Sequence, residues 1–253
     1  MKVIQVKGLQ IGDGIPKICV SLTGRTKEDI LEEAGQIDST IVDIVEWRVD
    51  YFVNSHKKEC VLQVLQCLHH ILEDVPIIFT FRTKNEGGEK EISINKYKEL
   101  NYFIAESKYA DFIDIELFMD STMKEYIKVL KNMEAKVIGS YHNFFDTPKK
   151  EEILERLLSM EKYEVDIVKM AIMPKKEEDV LTLLDCSLEA YRKLKIPMIT
   201  MSMGKLGVIS RICGQLTGSC ITFASHKRAS APGQIEAKKL LNILRQLDQS
   251  GLL

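Results

Sequence analysis

The sequence contains no apolar run near the roughly 20 residues that a membrane helix requires. Its amino-terminal stretch, MKVIQVKGLQIGDG, lacks the apolar core and the small-residue cleavage site of a secretory signal. The whole sequence also lacks an excess of positive charge, because it has 35 Lys and Arg and 37 Asp and Glu, for a formal net charge of -2. These absences argue against a membrane or nucleic-acid partner, and we expect a soluble, cytoplasmic protein that binds a small molecule.

Cysteine pairs of the CxxC type are also absent, although the chain has six cysteines. Scattered cysteines without that spacing indicate neither a zinc site nor a disulfide framework. We interpret them as free thiols, most of them buried. Linkers, internal repeats and low-complexity tracts are absent as well, so one domain is expected to span residues 1–253.

Eight short segments of strand-like composition recur along the chain, with segments of helical periodicity between them: KICVSL, VDIVEWRVD, PIIFTFRT, ADFIDIEL, KVIGSYHNF, DIVKMAIMP, PMITMSMG and SCITFAS. Alternating strands and helices require a parallel sheet, and eight such units match the count and size of an α/β fold, the closed (β/α)8 TIM barrel. A doubly wound sheet is the alternative, but it often carries a glycine fingerprint where this chain has only the lone glycine of SLTGRTKED. The stretch VIQVKGLQIGDG is predicted to form a short hairpin that closes the bottom of the barrel.

Polar residues occupy one face of the predicted barrel strands, although both faces of such strands are buried. At period two, apolar residues such as Val45, Trp47 and Phe79 face outward, toward the helices. The inner face then carries Cys19, Ser21, Thr23, Glu46, Arg48, Asp50, Thr80, Arg82, Asp114, Glu116, Ser140, His142, Lys169, Met201, Met203, Phe223 and Ser225. The polar members cluster toward the carboxyl ends of the strands, where barrel enzymes build their active sites. A buried salt-bridge network that only holds the lumen together is the structural alternative.

Lys169 stands in the middle of the strand DIVKMAIMP, where a buried ammonium is costly unless it is paired or discharged. A neutral lysine amine attacks a ketone or aldehyde and forms a protonated Schiff base, which withdraws electrons from the adjacent carbon. We therefore expect burial and the cations Arg48, Arg82 and Arg211 to favour the neutral amine. His142, one strand earlier, is the candidate proton carrier, because an imidazole titrates near neutrality.

The loop FRTKNEGGE offers a carboxylate to orient His142. Glu86 is our candidate, although spacing alone does not separate it from Glu89 and Glu91. Three other histidines fall in a predicted loop and helix and are interpreted as surface residues: His56, His69 and His70.

Six motifs stand in order along the chain: EWRVD, FTFRTKNEGGE, SYHNF, DIVKMAIMP, TMSMGKLGVISR and ASAPGQ. With these motifs the whole sequence closely resembles the type I 3-dehydroquinate dehydratases of the shikimate pathway. The resemblance implies a barrel enzyme, usually a homodimer, that dehydrates 3-dehydroquinate to 3-dehydroshikimate without a metal or a cofactor. Two departures are visible, because Asn143 follows the histidine where Asp is common and LTGSC stands where a Phe-Gly-Ser run is frequent. Neither affects a residue to which the resemblance assigns chemistry.

The resemblance also implies roles for individual residues. Lys169 would form the imine with the C3 ketone. His142, supported by Glu86, would remove the C2 proton and later protonate the departing C1 hydroxyl in a syn elimination. The implied substrate-binding residues are Glu46, Arg48 and Arg82 for ring hydroxyls, Arg211, Ser230 and Gln234 for the carboxylate and its covering loop, and Met201 and Met203 for an apolar wall. We add Ser21 and Phe223 to the binding set, since they share the inner face.

A class I aldolase or transaldolase is the main alternative, because it shares the barrel, the lysine and the imine but breaks a carbon–carbon bond. Many such enzymes bind phosphate through glycine-rich backbone after the seventh and eighth strands. The corresponding segments here, GKLGVISR and HKRASAPGQ, offer an arginine suited to a carboxylate and no comparable backbone nest. A non-enzymatic binding scaffold is a further alternative, and it predicts loss of at least one of Lys169, His142 and Arg211. All three are present.

Overall fold

The computed structural model describes residues 2–226 and 231–249 of the chain. The first element is an antiparallel hairpin of β1 (Ile4–Val6) and β2 (Leu9–Ile11). Gly8 in its turn has a φ of 77°, which glycine adopts without strain. Val6 and Ile11 are buried in one apolar cluster with inward-facing residues from the amino ends of the barrel strands. The hairpin therefore closes the bottom of the barrel, as predicted.

Eight parallel strands form the barrel: β3 (Lys17–Leu22), β4 (Ile44–Arg48), β5 (Ile77–Thr80), β6 (Phe112–Glu116), β7 (Val137–Asn143), β8 (Ile167–Ile172), β9 (Met198–Ser202) and β10 (Ile221–Ala224). Each strand from β4 to β9 pairs with the one before it, and β10 pairs with β3. Between β9 and β10 the Cys220 amide donates a hydrogen bond to the Met198 carbonyl oxygen at 2.8 Å. The predicted (β/α)8 fold is confirmed, and the doubly wound alternative is wrong.

A helix follows each barrel strand in sequence: α1 (Lys27–Ala34), α2 (Lys58–Leu72), α3 (Ile94–Ser107), α4 (Met123–Asn132), α5 (Lys150–Glu161), α6 (Glu177–Lys193), α7 (Gly214–Thr217) and α8 (Ala237–Gln249). Short 3-10 helices at Val49–Tyr51, Lys84–Glu86 and Leu206–Arg211 follow β4, β5 and β9. The start of α1 is fixed by a capping box, in which Thr26 and Asp29 each accept a hydrogen bond from the other's backbone amide at 3.1 Å. Within the described ranges, no helix combines the length and the apolar character needed to cross a membrane.

The barrel strands show the predicted parity. Val45, Trp47 and Phe79 belong to the large core between the strands and the helices. The lower lumen is filled by the inward-facing apolar side chains Cys19, Ile44, Ile78, Phe112, Ile138, Ile167, Ile199 and Ile221. All six cysteines are free thiols; three are buried and three are half-buried. The apolar layer leaves only the carboxyl-terminal half of the lumen for polar groups.

Three aspartates join neighbouring strands at the amino end of the barrel. The Oδ2 atoms of Asp43, Asp111 and Asp166 accept hydrogen bonds from the backbone amides of Ile18, Ile77 and Val137, at 2.7, 2.8 and 2.7 Å. Each aspartate stands immediately before one strand and reaches the preceding strand. These bonds satisfy amides at the end of the barrel opposite the polar cluster.

Candidate active site

A cavity of about 200 Å³ opens at the carboxyl ends of the strands. Most of the residues predicted from the sequence line it together: Glu46, Arg48, Arg82, Glu86, His142, Lys169, Met201, Met203, Arg211, Phe223 and Gln234. Ser21 does not belong to this lining. Its hydroxyl donates to Glu46 Oε2 at 2.7 Å. Ser230 falls outside the described residues.

Lys169 occupies the floor of the cavity and is only 3% exposed. Its Nζ atom donates to Asp114 Oδ2 at 2.9 Å and to Glu46 Oε1 at 3.1 Å, and it lies 4.5 Å from the ring centroid of Phe223. Glu46 comes from β4, on the opposite side of the barrel from β8, and Asp114 comes from β6, two strands from β8. The buried ammonium is therefore paired.

The charge state of Lys169 differs from the expectation that nearby arginines would discharge it. Burial by itself lowers the pKa of Lys169, but Asp114 and Glu46 outweigh burial and raise that pKa above its ordinary value. Burial raises the pKa of Asp114, and Arg82 and Lys169 outweigh it and hold that pKa below the ordinary range. The expectation was wrong because it counted the arginines and omitted the two carboxylates within hydrogen-bond distance.

His142 and Glu86 form a directed pair on the wall of the cavity. Glu86 Oε2 lies 2.9 Å from Nδ1 of His142 and accepts a hydrogen bond from the His142 backbone amide at 3.0 Å. This leaves Nε2 as the ring nitrogen that Glu86 does not engage. The alternatives Glu89 and Glu91 point elsewhere, to Arg25 and Lys84.

The proton affinities of this pair are shifted in opposite directions. Burial, together with Arg82 and Lys169, lowers the pKa of His142 well below its ordinary value. Burial and the neighbouring Glu116 raise the pKa of Glu86 well above its ordinary value. The imidazole is therefore neutral at pH 7 and able to accept a proton, as a general base must be.

Glu86 is positioned by the short 3-10 helix that follows β5, and a glycine makes this possible. Gly87, the next residue, has a φ of 83°, and a Cβ atom there would lie 2.3 Å from the Phe144 ring. Phe144 itself lines the cavity, and its ring is inclined by 23° to the His142 ring, with the centroids 6.5 Å apart. Glycine thus permits the close approach between the Glu86 turn and the loop after β7.

Arg211 is a buried guanidinium whose contacts are carbonyl oxygens. Its Nη1 and Nη2 atoms donate to the carbonyl oxygens of Phe223 and Pro232, each at 3.1 Å, and its Nε has no partner among the described residues. None of the described carboxylates forms an ion pair with it, and burial lowers its pKa to about 10. A buried cation in this state is suited to an anionic ligand.

The other two arginines are held by protein carboxylates. Arg48 forms a bidentate pair with Asp50, with both N–O distances 2.8 Å. Arg82 reaches Asp114 at 2.7 Å and Glu116 at 3.0 Å. A buried network therefore exists, as the structural alternative required. It borders an open cavity, however, and Lys169 belongs to it.

Strand parity puts Asp114 and Glu116 on the inner face but predicts no role for them in the site. The distances give Asp114 such a role, because it contacts both Lys169 and Arg82. Phe144, Gly87, Ala231 and Pro232 were missed as lining residues. They lie in loops, where strand parity makes no prediction.

Comparison with known proteins identifies the family. The family described as Type I 3-dehydroquinase matches residues 18–251. A 3-dehydroquinate dehydratase of Clostridium botulinum is 47% identical over 251 residues, which is 98% of this chain and 99% of that protein. The chain belongs to the type I 3-dehydroquinase family.

Other members of the family agree in sequence and in structure. A 3-dehydroquinate dehydratase of Salmonella typhimurium is 43% identical over 252 residues, covering 99% of this chain and all of that one. The crystal structure of a type I 3-dehydroquinate dehydratase from Clostridium difficile, solved with covalently modified comenic acid, superposes with a TM-score of 0.95 at 45% identity, covering 99% and 100% of the two chains. The barrel and its hairpin are thus those of the type I 3-dehydroquinases.

Proposed function

We propose that the cavity removes water from 3-dehydroquinate to give 3-dehydroshikimate, by way of an imine on Lys169. The observation that carries this proposal is the placement of Lys169 on the cavity floor, in the same lining as the His142–Glu86 pair and Arg211, a cation with no carboxylate partner among the described residues. A keto acid offers one chemical group to each of Lys169, His142 and Arg211. Lys169 takes the ketone, Arg211 takes the carboxylate, and His142 takes the proton between them.

Imine formation is compatible with a protonated Lys169. The ammonium must give up a proton before its nitrogen attacks the C3 ketone, and the ketone oxygen then leaves as water. The overall change, ammonium plus ketone to iminium plus water, leaves one positive charge on Nζ before and after. Asp114 and Glu46, which favour the ammonium, favour the iminium for the same reason. The two carboxylates disfavour only the neutral amine, which is the form of Lys169 that attacks the ketone.

His142 is the proposed general base and acid. With Nδ1 engaged by Glu86, Nε2 is available to remove the C2 proton, whose electron pair is drawn into the iminium to form a neutral enamine. The same Nε2–H then protonates the departing C1 hydroxyl, which leaves as water on the same face of the ring. Water finally hydrolyses the imine and restores Lys169.

Substrate binding is proposed to combine charge at one end with packing at the other. Arg211 and Gln234 would bind the carboxylate, and Glu46 and Arg48 would bind ring hydroxyls; all four line the cavity. Met201, Met203 and Phe223 would form the apolar wall, since they line the cavity and belong to the lumen's apolar cluster. For Ser21 and Arg82 the contacts support an indirect role, in which they hold Glu46 and Asp114.

The direct test of the reaction is the appearance of the absorbance of the conjugated enone product after 3-dehydroquinate is added. We expect turnover by the wild-type protein and by Lys162→Ala, which removes an exposed lysine, and none by Lys169→Ala. An aldolase would instead ignore 3-dehydroquinate and cleave a sugar or keto acid. Normal turnover by Lys169→Ala would refute the proposed role of the lysine.

We further propose that the chain forms a homodimer through the outer side of α6. Leu181, Leu184, Leu188 and Tyr191 recur there at helical spacing, and Leu181 and Tyr191 are 64% and 43% exposed. The first turn of the helix is acidic, with Glu177, Glu178 and Asp179, and the last turn is basic, with Arg192 and Lys193. A two-fold axis perpendicular to α6 would pair two copies of the helix antiparallel, so that acidic and basic ends meet.

Sedimentation of two variants tests this surface. Leu181→Glu should convert a dimer into a monomer, because it places a charge in the apolar strip. Val129→Glu, which changes a comparably exposed residue on α4 (44%), should remain dimeric. A monomeric wild-type protein would exclude the homodimer, and a dimeric Leu181→Glu would exclude this surface.

A further inference from the structure

Asp50 is a fully buried carboxylate for which the mechanism above has no use. It stands directly after β4, in the 3-10 helix Val49–Tyr51, with none of its surface exposed. It does not belong to the lining of the cavity. Any effect on the reaction must therefore pass through the groups that it contacts.

Both carboxylate oxygens of Asp50 accept hydrogen bonds from two separate parts of the site. Oδ1 accepts from Arg48 Nε at 2.8 Å and from the Arg82 backbone amide at 3.4 Å. Oδ2 accepts from Arg48 Nη2 at 2.8 Å and from the Glu89 backbone amide at 3.0 Å. One carboxylate thus holds a cavity arginine and both ends of the segment 82–89, which carries Glu86.

The segment 82–89 is itself closely folded, so that holding its ends fixes its middle. The Gly88 amide donates to the Thr83 carbonyl oxygen at 2.8 Å, and a Cβ atom on Gly88 would lie 2.0 Å from the Arg82 carbonyl oxygen. Glu116, on the other side, accepts hydrogen bonds from the Thr83 amide at 2.8 Å and hydroxyl at 2.7 Å. Glu86 therefore has little freedom to move independently of these anchors.

We propose that Asp50 is a positioning residue that fixes Arg48 and Glu86 relative to each other, and through Glu86 aligns His142 with the substrate. This inference rests on the proposed function of the cavity. The carboxylate is required because all four of its partners are donors. An asparagine of the same shape would turn an NH2 group toward two of them and leave those donors unpaired.

The test is Asp50→Asn, measured by steady-state kinetics and by borohydride trapping of the imine during turnover of 3-dehydroquinate. Small displacements of catalytic groups cost up to about 100-fold, so we expect kcat/KM to fall about 10- to 100-fold. Trapping on Lys169 should stay as complete as in the wild type, because the hydrogen-bond acceptors of Lys169 among the described residues are Glu46 and Asp114, not Asp50. Asp111→Asn is the matched control, since it changes a carboxylate that binds a backbone amide at the opposite end of the barrel, and its kinetics should be unchanged.

Two results would overturn the inference. One is near-normal kcat/KM in Asp50→Asn, and the other is a loss of trapping in proportion to turnover, which indicates general disruption of the site. Should Asp50→Asn not fold, Asp50→Glu keeps the charge, displaces it by one methylene group, and is judged by the same criteria. Failure of the wild-type protein to turn over 3-dehydroquinate would count against the proposed function and not against Asp50 specifically.

Discussion

Replacing Arg211 by lysine should weaken recognition of the substrate carboxylate although the charge is kept. Arg211 is 2% exposed, and its two terminal nitrogens donate hydrogen bonds to the carbonyl oxygens of Phe223 and Pro232. These bonds aim the planar group and leave its charge without a carboxylate partner among the described residues. A lysine has a single compact ammonium and cannot present two parallel donors.

The size of the effect follows from the hydrogen bonds that are lost. A hydrogen bond to a charged group contributes about 1.5–3 kcal/mol, and losing one from the substrate carboxylate corresponds to a decrease of about 10- to 150-fold in kcat/KM. The loss should fall mainly on KM, because the carboxylate does not change charge during the reaction and is bound equally in ground and transition states.

Steady-state kinetics with 3-dehydroquinate, and with an analogue that lacks the carboxylate, measure this effect. Arg211→Lys should lose most of the preference of the wild-type protein for the acid. Arg25→Lys is the control, because Arg25 is exposed and pairs only weakly with Glu89 at 3.4 Å. If Arg211→Lys discriminates between acid and analogue as strongly as the wild type, the carboxylate lies elsewhere.

Three further predictions concern the base, its pH dependence and the lower end of the barrel. His142→Ala should lose about 10²- to 10⁴-fold in kcat for each proton transfer it serves, and near-normal turnover would remove it from the mechanism. Glu86→Gln should lower kcat and shift the acid limb of the kcat/KM profile to lower pH. It removes a carboxyl group with a raised pKa and leaves His142, whose pKa is lowered, to set that limb. An acid limb at unchanged or higher pH would contradict this prediction. Asp166→Ala removes the acceptor of the Val137 amide and the partner of Lys131, and should lower the free energy of unfolding by about 1–3 kcal/mol with kcat unchanged; a large loss of kcat would contradict it.

The barrel and most of the site residues could be predicted from the sequence because barrel strands are buried on both sides. Under that constraint a polar side chain such as Glu46 or Lys169 has only the lumen available, and period two decides which neighbours share it. The same rule predicts that the residues of the other parity, such as Val45, Trp47 and Phe79, form the apolar outer face.

The charge on Lys169 could not be predicted in this way. It depends on whether Asp114, two strands away, and Glu46, on the opposite strand, reach Nζ within hydrogen-bond distance. Parity gives the face of a residue but not its height in the barrel or its distance across it. The pairing of Arg48 with Asp50 was hidden for the same reason, whereas Phe144 and Pro232 lie in loops, where strand parity makes no prediction.

The most direct test of the central claim is borohydride reduction during turnover of 3-dehydroquinate, followed by intact-mass measurement and peptide mapping. An imine on Lys169 would be reduced to a stable secondary amine, so the enzyme should be inactivated and its mass should rise by one ligand. The adduct should map to Lys169, while the exposed Lys162, Lys175 and Lys176 stay unmodified. Turnover of 3-dehydroquinate without any adduct would contradict the account, and Lys169 would then act as an electrostatic group in a direct elimination.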